Sequence, residues 1–278
     1  MPADKLTGSL PNLPDHEAAS KIIKIIAVEE ILSRFKDLED YEVSEKGSGE
    51  IVTDADTQTE IRLTKELTAL SPDSTVIGEE GFDKDKGIMT RFDGDAPVWV
   101  LDPLDGTRNF SQGKTCFCVI VAYCVKKTTY LGWIYDPIND DLYFAAKGLG
   151  AWCNNKPIKL NRTPKLSKMI GSVGKRRREQ LNRNYGPEFP NVPQKFIRYR
   201  CIGLEYVDLV RGKIHFAEYH NLKPWDHAAG ILLHQEAGGY SAYAKTLDQY
   251  VPGPISTNKF IATQDKKIWG DIHKFLSV

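Results

Sequence analysis

Five cysteines in 278 residues, with no Cys-x-x-Cys pair among them, leave this chain without a disulfide framework and without a cysteine-based zinc site. Cys116, Cys118, Cys124, Cys153 and Cys201 read instead as small buried hydrophobes. Neither sign of charge dominates. Lys plus Arg and Asp plus Glu both number 37, so no basic field offers a footprint for nucleic acid, and any anionic ligand must be held by a local site. No apolar run approaches the ~20 residues of a membrane span. The first residues lack the basic start and apolar segment of a signal peptide, which makes a cytoplasmic location the expectation. Repeats and low-complexity segments are also missing.

What is present is the composition of a globular protein, 41% hydrophobic and 27% charged. A chain of 278 residues lies where one core begins to split into subdomains, so a single unit over 1–278 is expected, with halves near 1–165 and 166–278. From His16 to about Asp40, the apolar Ala19, Ile22, Ile23, Ile26, Ile31, Leu32 and Phe35 recur at helical steps. A second helix is expected from near Asp56 to Leu70, ended by Ser71-Pro72. Between them lies Lys46-Gly-Ser-Gly49, a flexible turn. Thr75 to Glu80 and Val98 to Leu101 read as strands, and Thr115 to about Leu160 as an antiparallel meander. The stretch 167–198 is poorly periodic and is the expected boundary between the halves. Strand-like Phe196–Cys201, helix-like Leu204–Arg211, strand-like Ile214–Tyr219 and a helix from Trp225 to Ala237 follow. Tyr240–Ala244, Phe260–Ala262 and a helix near Asp265–Phe275 finish the chain.

The chemistry concentrates in Asp102-Pro-Leu-Asp105-Gly106-Thr107, at the end of the strand that opens with Val98. Two carboxylates about 4 Å apart repel by roughly 4 kcal/mol at an effective dielectric of about 20, and a divalent cation removes that penalty. Gly106 permits a tight backbone path, and a helical turn opened by Thr107 would place free amides beside a phosphate.

Three further acidic segments accompany it. In Gly78-Glu79-Glu80, neighbouring side chains at a strand end point apart, so at most one glutamate serves a site. Asp226, in Trp225-Asp226-His-Ala-Ala-Gly230, reads alone as a helix cap. In Ile51-Val-Thr53-Asp54-Ala-Asp56, one aspartate caps the next helix, or Asp56 accepts a hydrogen bond from a hydroxyl at the centre. Asp136-Pro-Ile-Asn-Asp140 copies the Asp-Pro spacing but lacks Gly-Thr, and reads as a hairpin turn.

Together, Val52–Asp56, Glu79 in its Gly-Glu-Glu setting, Asp102–Phe110 and Trp225–Gly230 resemble, in order and separation, the inositol monophosphatase family. The resemblance implies a layered αβαβα sandwich of the inositol monophosphatase and fructose-1,6-bisphosphatase type (α+β or α/β), usually a homodimer. It implies two to three Mg²⁺ held by Glu79, Asp102, the carbonyl of Leu104, Asp105 and Asp226, with Asp102 bridging. Thr107, hydrogen-bonded to Asp56, and Glu79 are the implied groups that orient and deprotonate water; Lys46 matches a loop lysine near it. Independently, an oxygen-only ligand set suits hard Mg²⁺.

Gly106 and Thr107, with Gly203, Glu218 and Lys223 from the second half, are the implied substrate contacts. Gly203-Leu-Glu205-Tyr206 departs from the small residues usual in the family there. The expected activity is hydrolysis of a small phosphorylated metabolite, foremost inositol-1-phosphate, with histidinol-phosphate, fructose-1,6-bisphosphate and nucleotide 3′-phosphates as rivals on the same centre. An alternative of another class is a binding partner of RNA or the transcription machinery, like the family's extragenic suppressors. Its one local hint is the basic run Lys175-Arg176-Arg177-Arg178, read as a solvated loop.

Overall fold

The structure is a computed structural model and describes residues 12–35, 43–45, 51–160, 164–185 and 192–277. Helix α1 (His16–Ile26) starts at Asp15, whose side chain accepts from the N–H groups of Glu17 and Ala18. It passes into a wider π turn (Ala27–Ile31) and a 3₁₀ turn (Leu32–Arg34), so the described helical path ends earlier than the apolar periodicity predicts. The short β1 (Val43–Glu45) pairs with β2 (Ile51–Thr53), and α2 (Asp54–Leu70) follows at once. A reciprocal capping box closes its first turn: Thr53 is the cap and Asp56 bonds back to the Thr53 N–H.

The main sheet has seven strands in sequence order: β3 (Thr75–Gly78), β4 (Val98–Asp105), β5 (Cys118–Val125), β6 (Thr128–Asp136), β7 (Asp141–Ala146), β8 (Gly150–Cys153) and β9 (Lys156–Ile158). Only β3 and β4 run parallel; the remainder form the meander expected. Two short helices sit on the strand ends, α3 (Glu79–Lys84) after β3 and α4 (Thr107–Ser111) after β4. The Glu79-Glu80 pair therefore opens a helix rather than closing a strand. The segment 136–140 is the β6–β7 turn, its Asp136 carboxylate accepting from the N–H groups of Ile138 and Asn139.

Strand alternation divides the apolar side chains between two layers. Trp99 and Leu101 of β4, with Val119, Val121, Tyr123 and Trp133, pack against α1 and α2. Val98 and Val100, with Ile120, Ala122 and Ile134, face α6 (Ile202–Val210) and α7 (Pro224–Glu236). Those two helices are covered on their far side by the second sheet, ordered β11 (Lys195–Ile197), β10 (Ile170–Ser172), β12 (Phe216–Tyr219), β14 (Phe260–Thr263), β13 (Tyr240–Tyr243). Its outer face buries Phe216 and Ile261 under α5 (Lys175–Asn184) and α8 (Lys266–Leu276). The result is a five-layer αβαβα sandwich. The stretch 167–198 thus holds two strands and a helix, and the basic run 175–178 lies on α5 instead of a loop, with Arg177 buried. Among the described residues no helix is long and apolar enough to cross a membrane.

The α6–α7 contact depends on a small residue. A Cβ on Gly230 would lie 2.1 Å from the ring of Tyr206, which is itself fully buried with its hydroxyl 3.0 Å from His227 Nδ1. Overpacking of this kind costs about 1–3 kcal/mol. Gly230→Ala should lower the thermal unfolding midpoint by several degrees, and an unchanged midpoint would show that α6 slides to admit the methyl group.

Candidate active site

Four acids from three elements meet in one cleft of about 480 Å³ between the main sheet and α7. Glu79 is the first residue of α3, Asp102 and Asp105 flank an irregularity in the pairing of β4 with β5, and Asp226 lies in the first turn of α7. Oxygens of Glu79, Asp102 and Asp226 fall within 4.8 Å of one another. Burial, then the charges of Glu79, Asp105 and Asp226, hold the Asp102 carboxyl well above its ordinary range. Asp105 is pushed up to about 6, mainly by burial. An oxygen-only ligand set whose two buried members, Asp102 and Asp105, resist ionisation without a neighbouring cation fits a hard divalent metal.

Each ligand is held by the chain around it. The Gly203 N–H donates to Asp105 Oδ2 at 2.6 Å, and Cys118 Sγ lies 3.7 Å from the same oxygen. Burial pushes the Cys118 thiol up to about 12, so it stays protonated and donates to the carboxylate instead of ligating. Cys201 Sγ approaches the Asp105 carbonyl oxygen at 3.5 Å. These thiols are buried as the sequence suggests, but they line the back of Asp105 rather than filling space alone. The Leu104 N–H donates to Asp102 Oδ1 at 3.1 Å.

Thr107 Oγ1 sits 2.8 Å from Asp56 Oδ1 and 2.9 Å from the Leu104 carbonyl oxygen, so its one proton has two acceptors. Asp56 Oδ2 in turn accepts from the Thr53 N–H and hydroxyl, at 2.7 and 2.5 Å. Of the two readings for this aspartate both hold: it completes the helix cap and it orients the hydroxyl. Burial raises its pKa to about 7. Gly106, at φ 95°, makes the turn between Asp105 and Thr107, and a side chain there would meet the Cys116 carbonyl at 2.7 Å.

The cleft also takes Lys223, whose Nζ lies 3.6 Å from Glu79. Two expected substrate contacts fall elsewhere. Gly203 is buried beneath Asp105 and does not line the cleft. Glu218 points into a separate pocket, where Arg177 Nε lies 3.1 Å from its carboxylate and Lys259 3.8 Å away. Glu205 is buried as well, pushed up to about 8 by desolvation, with the Ser172 hydroxyl as partner. Lys46 lies outside the described residues.

Sequence reasoning missed two groups. Glu60, on α2, accepts from the N–H groups of Glu80 and Gly81 at 2.9 and 2.7 Å and so anchors the helix start that carries Glu79. Its pKa rises to about 7 through burial. Arg108, Arg198 and Arg200 line the cleft mouth. The four orphan amides of any helix opened by Glu79 were a signal for the first; the arginines carry no spacing signal.

For Asp56, Glu60 and Asp105 the folded pKa exceeds the unfolded one. As pH rises the unfolded chain releases these protons first, so their contribution to stability is present at low pH and is lost from about pH 4 through the folded values near 6 to 7. A divalent cation held by Asp102 and Asp105 offsets the part of this loss that Asp105 carries once that carboxyl ionises. The thermal shift produced by millimolar Mg²⁺ over EDTA should therefore be small at pH 5 and reach its full size by about pH 8. A shift independent of pH would contradict the site.

A model of the inositol monophosphatase family matches residues 14–271. The chain is 32% identical over 243 residues to an inositol-1-monophosphatase of Synechocystis, covering 85% of this chain and 79% of that protein. It is 30% identical over 235 residues to a fructose-1,6-bisphosphatase/inositol-1-monophosphatase of Aquifex aeolicus, covering 83% and 86%. Among solved structures, the extragenic suppressor protein suhB of Bartonella henselae superposes with a TM-score of 0.78 at 23% identity, covering 94% of this chain and 97% of the other, which speaks for the fold alone. The match over nearly the whole chain shows that this protein belongs to the inositol monophosphatase family.

Proposed function

We propose that the protein is a Mg²⁺-dependent phosphomonoesterase acting on a small hydroxylated phosphate monoester, with inositol-1-phosphate as the leading candidate. The observation that carries this reading is the Thr107–Asp56 hydrogen bond set beside an oxygen-only acidic cluster in one cleft. Glu79, Asp102, the Leu104 carbonyl, Asp105 and Asp226 would hold the ions. Mg²⁺ held by these residues would lower the pKa of a water, so that hydroxide is available at neutral pH, and would offset charge on the departing alkoxide.

The chain's own groups do the remaining work. Asp56, anchored by Thr53, accepts the Thr107 hydroxyl's hydrogen bond when ionised and so turns that oxygen's lone pairs toward the cleft, where they accept a hydrogen bond from water and orient it. With Leu104 committed through its carbonyl, the alternative acceptor for that proton is withdrawn. Glu79, partly exposed beside Lys223, is the second group placed to receive a water proton. Gly106 and Thr107 form the wall against which the phosphate rests.

The binding-partner alternative loses its local support, because Arg177 is buried against Glu218 and the run 175–178 does not present four charges together. Phosphate release from inositol-1-phosphate, histidinol-phosphate, fructose-1,6-bisphosphate and nucleotide 3′-phosphates in Mg²⁺ tests the assignment and ranks the substrates. Asp105→Asn should abolish turnover, and Thr107→Ala should lower kcat by roughly 10²-fold or more. Full activity in either variant would sink the mechanism.

A further inference from the structure

Three of the five cysteines, from two distant stretches of the chain, are gathered at one point behind Asp105. Cys118, opposite Asp105 in the β4–β5 register, has its Sγ 3.7 Å from that of Cys201, the residue before α6. Cys201 also hydrogen-bonds to Cys116, whose own Sγ lies 3.9 Å from the Tyr199 carbonyl oxygen. A single side chain holds the two stretches together: Asn109 Nδ2 is 2.8 Å from the Cys116 carbonyl oxygen, 3.2 Å from that of Tyr199 and 3.3 Å from that of Arg200. The Cys116 and Cys201 thiols are therefore in contact by construction, which is the approach that a disulfide demands of its partners.

The three differ in access. Cys118 and Cys201 are fully buried, and Cys118 has no room around it, since a Cβ on Gly203 would lie 2.4 Å from its sulfur. Cys116 is partly exposed and lines a crevice of about 520 Å³ together with Lys114, Arg198 and Arg200. Cations beside a thiol favour its thiolate, the form that attacks an oxidant. The hydrogen bond from Cys201 acts in the same direction and holds the Cys116 thiol below its ordinary range. Cys153, the other partly exposed cysteine, is pushed the opposite way by burial.

We propose that Cys116 is a site of reversible oxidation by hydrogen peroxide, with Cys201 as its resolving partner, and that the resulting disulfide loosens the support of Asp105. The Cys116 sulfur attacks one peroxide oxygen and the O–O bond breaks, which leaves Cys116 as a sulfenic acid and releases one water. The Cys201 sulfur then displaces the hydroxyl, which departs with the Cys201 proton as a second water, and the S–S bond forms. Together the thiols give up two electrons and two protons, and a dithiol reductant returns them. Cys201 Sγ lies 3.5 Å from the Asp105 carbonyl oxygen, and Gly203, two residues on, donates its N–H to Asp105 Oδ2. Drawing Cys201 toward Cys116 therefore moves the start of α6 and the amide that orients this carboxylate.

The test treats reduced protein with hydrogen peroxide, alkylates it with iodoacetamide in denaturant and maps the peptides by mass spectrometry. A Cys116–Cys201 link should form first, while Cys124 and Cys153 remain alkylated. In the oxidised protein the Mg²⁺ concentration that gives half of the thermal shift over EDTA should rise about tenfold or more, and dithiothreitol should restore it. Cys116→Ser should keep the wild-type Mg²⁺ response and lose its sensitivity to peroxide. Cys201→Ala should leave Cys116 as a sulfenic acid that dimedone traps, a readout by mass that survives a weakened α6. None of these measurements needs turnover, so failure here and failure of the phosphatase reading are distinguishable. A Cys118–Cys201 link, or no link to Cys116, would overturn the site. A Cys116–Cys201 link that leaves the Mg²⁺ response unchanged would overturn its effect on Asp105.

Discussion

Carboxylates that repel one another are brought to one point by elements that could not hold them there without opposing forces. Glu79, Asp102, Asp105 and Asp226 arrive from three elements of the structure, and every support around them offsets part of that repulsion. The Gly203 amide and the Cys118 thiol donate to Asp105, and the Leu104 amide to Asp102. Glu60 fixes the amides of Glu80 and Gly81 and so anchors the helix start on which Glu79 stands. In this sense the centre is built to be incomplete: its buried acids hold protons at pH values where free carboxyls do not, and a cation is the natural replacement for those protons.

The supports also tie the layers together. Asp56 closes the first turn of α2, an outer layer, while its second oxygen reaches the Thr107 hydroxyl beyond the end of β4. Gly203, at the start of α6 in the middle layer, approaches Asp105 so closely that an added Cβ would lie 2.4 Å from Cys118 Sγ. The packing that stabilises the sandwich and the geometry of the site are therefore one set of contacts, and a change in helix position is felt as a change in a ligand's orientation.

Much of this was legible in the sequence, for reasons that differ by residue. The four acidic segments could be read because each is a local motif whose neighbours have a mechanical role: glycine for the turn at 106, proline before Trp225, a threonine cap before Asp54. The meander was legible from its alternation and turns. Glu218 was not, because strand parity decides it: Glu218 shares a face with Phe216, which packs under α5 and α8, and a shift of one residue sends a side chain to the opposite layer. Glu60 and the arginines at 198 and 200 act across long sequence separations, which no local pattern records. Glu79 was assigned the right neighbourhood and the wrong element, since a short apolar run ending in Gly-Glu-Glu fits both a strand end and a helix start.

Strand β4 is hydrogen-bonded along both edges, in parallel to β3 and antiparallel to β5, and its far end is the acidic turn. Local opening there would require separating the sheet at its most buried strand, so the amides around Leu101 belong to the slowest-exchanging part of the molecule. The segment that carries Arg198 and Arg200 lies between β11 and α6, outside any ladder. The acidic turn thus rides on the part of the fold least free to vary, while the arginines at the cleft mouth stand on a segment that no ladder holds, so the two sides of one cleft differ in how far the chain can be altered beneath them.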